Sequence, residues 1–136
     1  MERKLDQARE LMETGSDSDG ETLGSGYTTS LLALQTAMCY SEAGQPGRAV
    51  DIYSSQLAAS AFSYRDFGYF RALMAGALAA VGEPGAACEA GMQAITIARE
   101  TSSVRTGGEL VRVAGQLQLW QHRSDVRELQ ALVLAV

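Results

Sequence analysis

The chain has 136 residues, which is long enough for one domain with a buried core. Its 16 Asp and Glu residues outnumber its 11 Lys and Arg residues, and the net charge of −5 disfavours contact with phosphate backbones, so we expect no direct nucleic-acid binding. No apolar run approaches the roughly 20 residues that span a bilayer, and no secretory signal opens the chain, so we expect a cytoplasmic protein without membrane contact.

The N-terminal region is predicted to contain one short helix followed by a loop. Between Glu2 and Glu13, apolar residues recur at spacings of three and four, which is typical of one face of an amphipathic helix. Residues 14–26 consist mainly of glycine, serine, threonine and acidic residues. Because such a segment has little apolar surface to bury, we expect a flexible loop there.

Two similar corners divide the central part of the chain. A mostly apolar helix is predicted over residues 27–43, and Gly44 follows it where a left-handed turn often ends a helix. Pro46 suits the first turn of the next helix, which we expect to run to about Ala59, because proline lacks the N–H group that would be unpaired there. The same Gly-x-Pro pattern recurs 38 positions later, at Gly82. A corner repeated at a fixed spacing indicates stacked helical hairpins.

Further helices are predicted in the second half of the chain. The fourth helix is expected over residues 66–81, with Asp66 at its positive N-terminal end, and the fifth over about residues 85–100. A capping box, Asp125-x-x-Glu128, is expected to open a seventh helix that runs through Ala135. Between these, apolar residues predict a sixth helix: Val104, Leu110, Val111, Val113, Leu117 and Leu119.

Small residues recur at matching positions of the two hairpins. Ala37 and Ala75 lie in the first helices, and Ala49 and Ala87 lie in the second helices, where small side chains let two helices pack closely. This pattern resembles the tetratricopeptide repeat, although that repeat has a period of about 34 residues and a large aromatic residue where Ala33 stands. We therefore predict a single all-α domain over residues 1–136, a tetratricopeptide-like stack of antiparallel hairpins with about seven helices and a right-handed twist.

A narrower resemblance covers about residues 27–133. The motifs that carry it are Ala37-Met-Cys-Tyr40, Gly44-x-Pro46-x-x-Ala49, Tyr64-Arg-Asp66, Tyr69-Phe70, Gly82-x-Pro84-x-x-Ala87-Cys88, Ser103-Val-Arg105, Glu109-Leu110, Trp120 and Val126-Arg-Glu-Leu129. In order and spacing, they resemble the tetratricopeptide-like C-terminal domain of actinobacterial helix-turn-helix (XRE-type) transcriptional regulators. The resemblance implies a sensing or dimerising role. No basic helix-turn-helix precedes residue 27, so we do not expect this chain itself to contact DNA.

The repeat resemblance places the first helix of each hairpin on a concave face, and this placement selects candidate binding residues. They are Leu31, Leu34, Met38 and Glu42 in the first hairpin, and Tyr69, Ala72, Gly76 and Ala79 in the second. Such stripes predict an apolar groove that receives a helix or a flat ligand. In the alternative, the stripes serve packing, and the C-terminal helix or a second copy of the chain fills the groove.

Two arginines near hairpin junctions are further candidates. Arg65 lies between Tyr64 and Asp66, and its guanidinium is suited to bidentate recognition of a ligand carboxylate. In the alternative, Arg65 pairs with Asp66 or Glu42 and locks the junction. Arg105 carries the same two interpretations.

No catalytic or metal-binding arrangement is predicted. The lone histidine, His122, follows Trp120 at an expected turn and should be exposed. Cys39 and Cys88 each lie among apolar helical neighbours, so we expect buried, reduced thiols. The sequence contains no Cys or His cluster with metal-ligand spacing and no phosphate-binding glycine loop, so we expect no metal and no cofactor.

Two functional hypotheses follow. The first is a non-enzymatic module that binds a peptide, a partner protein or a small hydrophobic effector, and that associates with itself. The alternative is a small helical protein from a biosynthetic gene cluster that encloses a metabolite and promotes its reaction. In that case Arg65, Asp66, Arg105 or Glu109 would point into a closed cavity.

Overall fold

The computed structural model describes residues 25–59 and 62–135, and six α-helices account for most of them. We number these helices in chain order: α1 Ser25–Glu42, α2 Pro46–Ala59, α3 Tyr64–Ala80, α4 Pro84–Thr101, α5 Val104–Gln116 and α6 Ser124–Leu134. A 3₁₀ turn, Leu117–Trp120, connects α5 to α6. The described residues contain no β-strand, so the all-α prediction is confirmed for them.

The first part of the chain allows only a limited comparison with the prediction. The predicted helix at Glu2–Glu13 and residues 14–24 of the predicted loop lie outside the described residues. Helix α1 begins at Ser25, so the last two residues of the predicted loop are helical. The chain divides into two compact units between Ala61 and Phe62. None of the helices in the described ranges has the length and apolar character needed to cross a membrane.

The first unit contains α1 and α2, which pack against each other. Tyr53 of α2 is only 1% exposed, and Ala37 and Ala49 have no exposed surface. Ala75 and Ala87, the matching positions in the second unit, are also fully buried. The predicted burial of small residues at helix contacts is therefore confirmed at all four positions.

Both predicted corners are confirmed. Gly44 and Gly82 adopt φ angles of 77° and 84°, in the left-handed region that residues with a side chain rarely occupy. After each glycine, the chain turns back to the preceding helix, because the N–H of Gln45 donates to the Tyr40 carbonyl at 2.8 Å and the N–H of Glu83 donates to the Leu78 carbonyl at 2.9 Å. The next helices, α2 and α4, each begin at the proline of the Gly-x-Pro pattern.

Helices α3 to α6 form the second unit. α4 packs along α3, α5 contacts both α3 and α4, and α6 packs against α4 and α5. A Cβ atom added at Gly68 of α3 would lie 2.9 Å from Cβ of Ile97 in α4. A Cβ atom added at Gly91 of α4 would lie 2.9 Å from Cδ2 of Leu129 in α6. Both distances are below van der Waals contact. A side chain at Gly68 would collide with the branch point of Ile97, and one at Gly91 would force the end of the Leu129 side chain to move.

Serine side chains cap the first turns of α3 and α5. Oγ of Ser63 accepts a hydrogen bond from the N–H of Asp66 at 3.1 Å, so α3 begins two residues before the predicted start, with Asp66 in its first turn. Oγ of Ser103 accepts from the N–H of Thr106 at 3.2 Å at the start of α5. These bonds satisfy N–H groups that have no partner within their own helix.

The predicted capping box at the start of α6 is wrong. Helix α6 begins at Ser124, so Asp125 lies within its first turn rather than ahead of it. The Asp125 carboxylate accepts two hydrogen bonds of 3.0 Å from the guanidinium of Arg123. These bonds hold the pKa of Asp125 below its usual value. The carboxylate is thus engaged by an arginine that precedes the helix.

Candidate functional site

Helix α5 exposes apolar and small residues along one side. Val104 is 87% exposed and Val111 is 60% exposed. Gly108 and Gly115 are also exposed. Spacings of four, three and four residues place all four on one face of an α-helix. We call these four residues the α5 edge.

The α5 edge arises from a seven-residue repeat. Residues 104–110, Val-Arg-Thr-Gly-Gly-Glu-Leu, are followed by residues 111–117, Val-Arg-Val-Ala-Gly-Gln-Leu. Because seven residues make almost two helical turns, equivalent residues of the two copies align. The third and seventh residues of each copy face the core and are at most 1% exposed: Thr106, Leu110, Val113 and Leu117. The first and fifth residues of each copy form the exposed α5 edge on the opposite side.

A groove of about 430 Å³ lies beside the α5 edge. The end of α4, the first half of α5 and the end of α6 supply its apolar lining, which includes Ile95, Ala98, Val104, Leu110, Val111 and Val133. Among the described residues that line it, Arg99 alone carries a charge. The Arg99 guanidinium donates a hydrogen bond of 3.2 Å to the Leu132 carbonyl near the end of α6. The groove is thus an apolar depression with one anchored cation, of a size that suits a few apolar side chains or a small ligand.

Arg65 and Tyr64 tie the start of α3 to the end of α4. The Arg65 guanidinium donates a hydrogen bond of 2.6 Å to the Thr101 carbonyl, and the Tyr64 hydroxyl donates one of 2.7 Å to Oε2 of Glu100. The bond to Glu100 raises the pKa of Tyr64. Arg65 makes this contact rather than the expected pairing with Asp66, because the last carbonyls of α4 lack partners within their own helix. The pairing with Glu42, a residue of the first unit, stays a prediction. Arg65 therefore locks a junction, although with a different partner.

Arg105 is held by two residues of α3. Its guanidinium carbon lies 3.8 Å from the centre of the Tyr69 ring, and its Nη2 lies 3.5 Å from Oδ1 of Asp66. These contacts join the first turn of α5 to the first two turns of α3. Both arginines selected from the sequence thus engage groups of their own unit, and neither lines the groove beside the α5 edge.

Two of the other predicted site residues of the second unit, Tyr69 and Gly76, lie against α5. Tyr69 contacts Arg105, and a Cβ added at Gly76 would lie 3.6 Å from Cγ2 of Val113. Ala72, between them on the same face, is fully buried, and Ala79 is nearly so. This stripe of α3 therefore packs in the way that the packing alternative anticipates, with α5 rather than the C-terminal helix as the covering element.

In the first unit, the predicted residues of α1 have mixed exposure. Leu34 is buried, Leu31 and Met38 are half-buried, and Glu42 is exposed. A cavity of about 310 Å³ between α1 and α2 is lined by other residues, among them Leu32, Thr36, Ile52 and Ser55. The hydroxyls of Thr36 and Ser55 each donate to a carbonyl of their own helix, at Leu32 and Ile52.

The residues considered for chemistry differ in their exposure. His122 is exposed, as predicted, in the turn before α6. Cys88 is buried, and this burial raises the pKa of its thiol to about 11, whereas Cys39 is only half-buried. Within residues 25–59 and 62–135, no group of three or more His, Cys, Asp or Glu side chains is arranged to hold a metal ion.

The α5 edge was not predicted as a surface. Val104 and Val111 served only as signs of a helix, although the seven-residue repeat is visible in the sequence and places valine and glycine away from the buried stripe. Comparison of the chain with protein families, with curated proteins and with solved structures gives no match.

Proposed function

We propose that this protein is a non-enzymatic interaction module that binds a peptide, a partner protein or a small hydrophobic effector through the α5 edge and the adjoining groove. The observation that carries this proposal is the exposure of Val104 and Val111 at the wall of an apolar groove. Large apolar side chains that share one face and remain in water are typical of a surface that another molecule covers.

A tetratricopeptide-like architecture is part of this proposal. The buried alanines, the two Gly-x-Pro corners and the contacts of α5 with both α3 and α4 support it. In such repeats each hairpin buries one face against its neighbour and leaves the other face for the next element. The α5 edge belongs to the last hairpin, and a bound molecule would take the place of a further helix there.

The expected affinity can be bounded from the exposed area. Burying a whole valine side chain contributes roughly 1.5–3 kcal/mol, and the exposed fractions of Val104 and Val111, 87% and 60%, leave about 2–4 kcal/mol available between them. Micromolar binding requires about 8 kcal/mol. The two valines alone are therefore insufficient, and side chains of the partner that enter the groove must supply much of the rest.

The resemblance to actinobacterial regulators supports a regulatory setting for this binding. In that setting the chain senses an effector or joins a partner, and a different protein segment supplies the DNA contact. The net charge of −5 supports the same division of labour, because it opposes direct contact of this chain with phosphate backbones.

The alternative, a metabolite-binding protein that promotes a reaction, lacks comparable support. It requires a closed cavity into which charged groups converge. Arg105 pairs with Asp66, and Arg112 pairs with Glu109 at 3.3 Å. Neither of the two cavities described above is lined by Arg65, Asp66, Arg105 or Glu109.

A peptide selection on the full chain tests the proposed site. Peptides of twelve random residues displayed on phage would be selected on the purified protein, and the affinity of the best binder measured by fluorescence polarisation. Val104→Glu should weaken binding more than tenfold, because it places a charge on the apolar wall. Leu134→Glu is the matched control, since Leu134 is 88% exposed and lies outside the groove lining, and it should change affinity less than twofold. Equal binding to wild type and Val104→Glu would contradict the proposed site.

A further inference from the structure

We infer that the partner seated on the α5 edge is the α5 edge of a second copy of this chain, packed antiparallel about a twofold axis. This inference rests on the proposed function of the α5 edge as a binding surface. It adds the identity of the partner and the pairing of residues across the contact.

The α5 edge is complementary to itself when one copy is reversed. Its order along the helix is Val104, Gly108, Val111, Gly115. In an antiparallel pair centred between Gly108 and Val111, Val104 of one copy lies opposite Gly115 of the other, and Gly108 lies opposite Val111. Every valine therefore meets a glycine, so each branched side chain projects into a space that a missing side chain leaves open. A parallel pair would place valine against valine and glycine against glycine.

Within residues 25–59 and 62–135, no atom packs against the two glycines of the α5 edge. A Cβ atom added at Gly108 or Gly115 would meet nothing within 4 Å, in contrast to Gly68 and Gly91, where a neighbouring helix leaves no room. A glycine inside a helix lowers the stability of that helix relative to alanine. The space that each glycine leaves for a valine of a second copy explains why glycine occupies these two positions.

The charges around the α5 edge permit two like surfaces to meet. None of its four residues is charged, and the two flanking arginines are each paired inside their own unit, Arg105 with Asp66 and Arg112 with Glu109. Residues 62–136 contain seven arginines and seven acidic residues, so this part of the chain has no net charge. An uncharged edge gives little attraction to a strongly acidic or basic partner, and it does not repel its own copy.

The size of the contact predicts a reversible dimer. Helix α5 has 13 residues and is therefore about 20 Å long. A seam of that length and about 10 Å width stays well below the roughly 1,200 Å² of buried surface at which stable interfaces begin. We therefore expect dimers at high protein concentration that dissociate on dilution.

The first test measures mass against concentration by sedimentation equilibrium of the full chain. The wild-type mass should rise from 14.5 kDa towards twice that value as the concentration increases. Gly108→Leu should remain monomeric over the same range, because its side chain fills the space for the opposing valine. Its melting temperature should not fall, because that side chain points into open space in the monomer and leucine favours helix. Leu134→Glu is the control and should dimerise as the wild type does.

The second test fixes the orientation by disulfide formation, in a Cys39→Ser background that removes the half-buried native thiol. Val104→Cys protein mixed with differently tagged Gly115→Cys protein should give the mixed disulfide under mild oxidation. Val104→Cys alone should give at least tenfold less disulfide dimer, because the antiparallel pairing separates the two copies of residue 104. Preferential linkage of residue 104 to itself would overturn the antiparallel arrangement.

The outcomes separate this inference from the proposed function on which it rests. A wild-type chain that stays monomeric at every concentration overturns the inference. If selected peptides still bind that monomer and lose affinity on Val104→Glu substitution, the proposed binding surface stands with a different partner. If neither dimers nor edge-dependent peptides are found, both are refuted.

Discussion

Replacement of Gly68 by alanine is the sharpest test of how the second unit packs. Gly68 lies in α3 where that helix meets Ile97 of α4, which is only 5% exposed. The added methyl group would lie 2.9 Å from Cβ of Ile97 and even closer to its Cγ2 atom. Cβ cannot move without the backbone, because it is bonded to Cα, and Cγ2 can move only by rotation of a stiff, buried side chain about χ1. The two helices must therefore shift apart.

Two opposing contributions determine the size of the effect. Overpacking a close-packed contact costs about 1–3 kcal/mol. Alanine favours helix over glycine by about 1 kcal/mol, so we expect a net loss of up to about 2 kcal/mol in the free energy of unfolding. The steric contribution therefore outweighs the gain in helix propensity.

Urea denaturation followed by circular dichroism provides the measurement, with Gly108→Ala as the matched control. Gly108 is also helical, but its added Cβ would meet nothing within 4 Å, so this variant should gain about 0.5–1 kcal/mol. In an Ile97→Ala background, Gly68→Ala should cost less, because Cγ2 and Cδ1 of Ile97 are gone. If Gly68→Ala is as stable as Gly108→Ala, the close contact between α3 and α4 is refuted.

Three further predictions address a corner, a junction and a buried thiol. Gly82→Val should lower the free energy of unfolding by at least about 1 kcal/mol, because Gly82 has a φ angle of 84°, and an unchanged melting temperature would contradict the corner. Arg65→Ala should cost less than about 1 kcal/mol in urea denaturation and leave the affinity for a selected peptide within about twofold, because its contact with the Thr101 carbonyl is exposed; a larger loss of affinity would show that Arg65 binds the ligand. The folded-state pKa of Cys88 is raised from 9.0 to about 11, so its contribution to stability is complete below pH 9 and is lost as the pH rises towards 11. Wild type should therefore lose more stability than Cys88→Ala over that pH range, and equal losses would show that the thiol ionises freely in the folded protein.

Part of the candidate site could have been predicted from the sequence. The seven-residue repeat in α5 predicts two stripes on opposite sides of one helix, because its period is close to two helical turns. Which stripe is buried depends on α3, α4 and α6, which cover Leu110 and Val113 and leave Val104 and Val111 in water. Periodicity assigns residues to a face, and only the neighbouring elements determine whether that face is covered.

The positions of the charged residues could likewise be predicted from the sequence, whereas their partners could not. From the sequence, Arg65 and Arg105 were identified as residues at helix junctions, and the partners considered for Arg65 were Asp66 and Glu42. In the folded chain, Arg65 reaches Thr101 and Arg105 reaches Asp66 and Tyr69, all more than 35 residues away. A guanidinium group takes the acceptor that tertiary packing brings within reach, and sequence distance does not predict it.

The amino-acid sequence by itself determined the helical character of the described residues, the two corners and the small residues at helix contacts. These features follow from local properties: Gly44 and Gly82 tolerate a left-handed turn, proline suits the first helical turn, and alanine leaves room for a neighbouring helix. Tertiary structure alone decided that α5 covers the α3 stripe of Tyr69, Ala72 and Gly76. It also decided that the α5 edge, on the opposite side of α5, stays exposed beside a groove. The physical reason is that burial depends on the arrangement of several helices at once, whereas a turn or a cap depends on only a few adjacent residues.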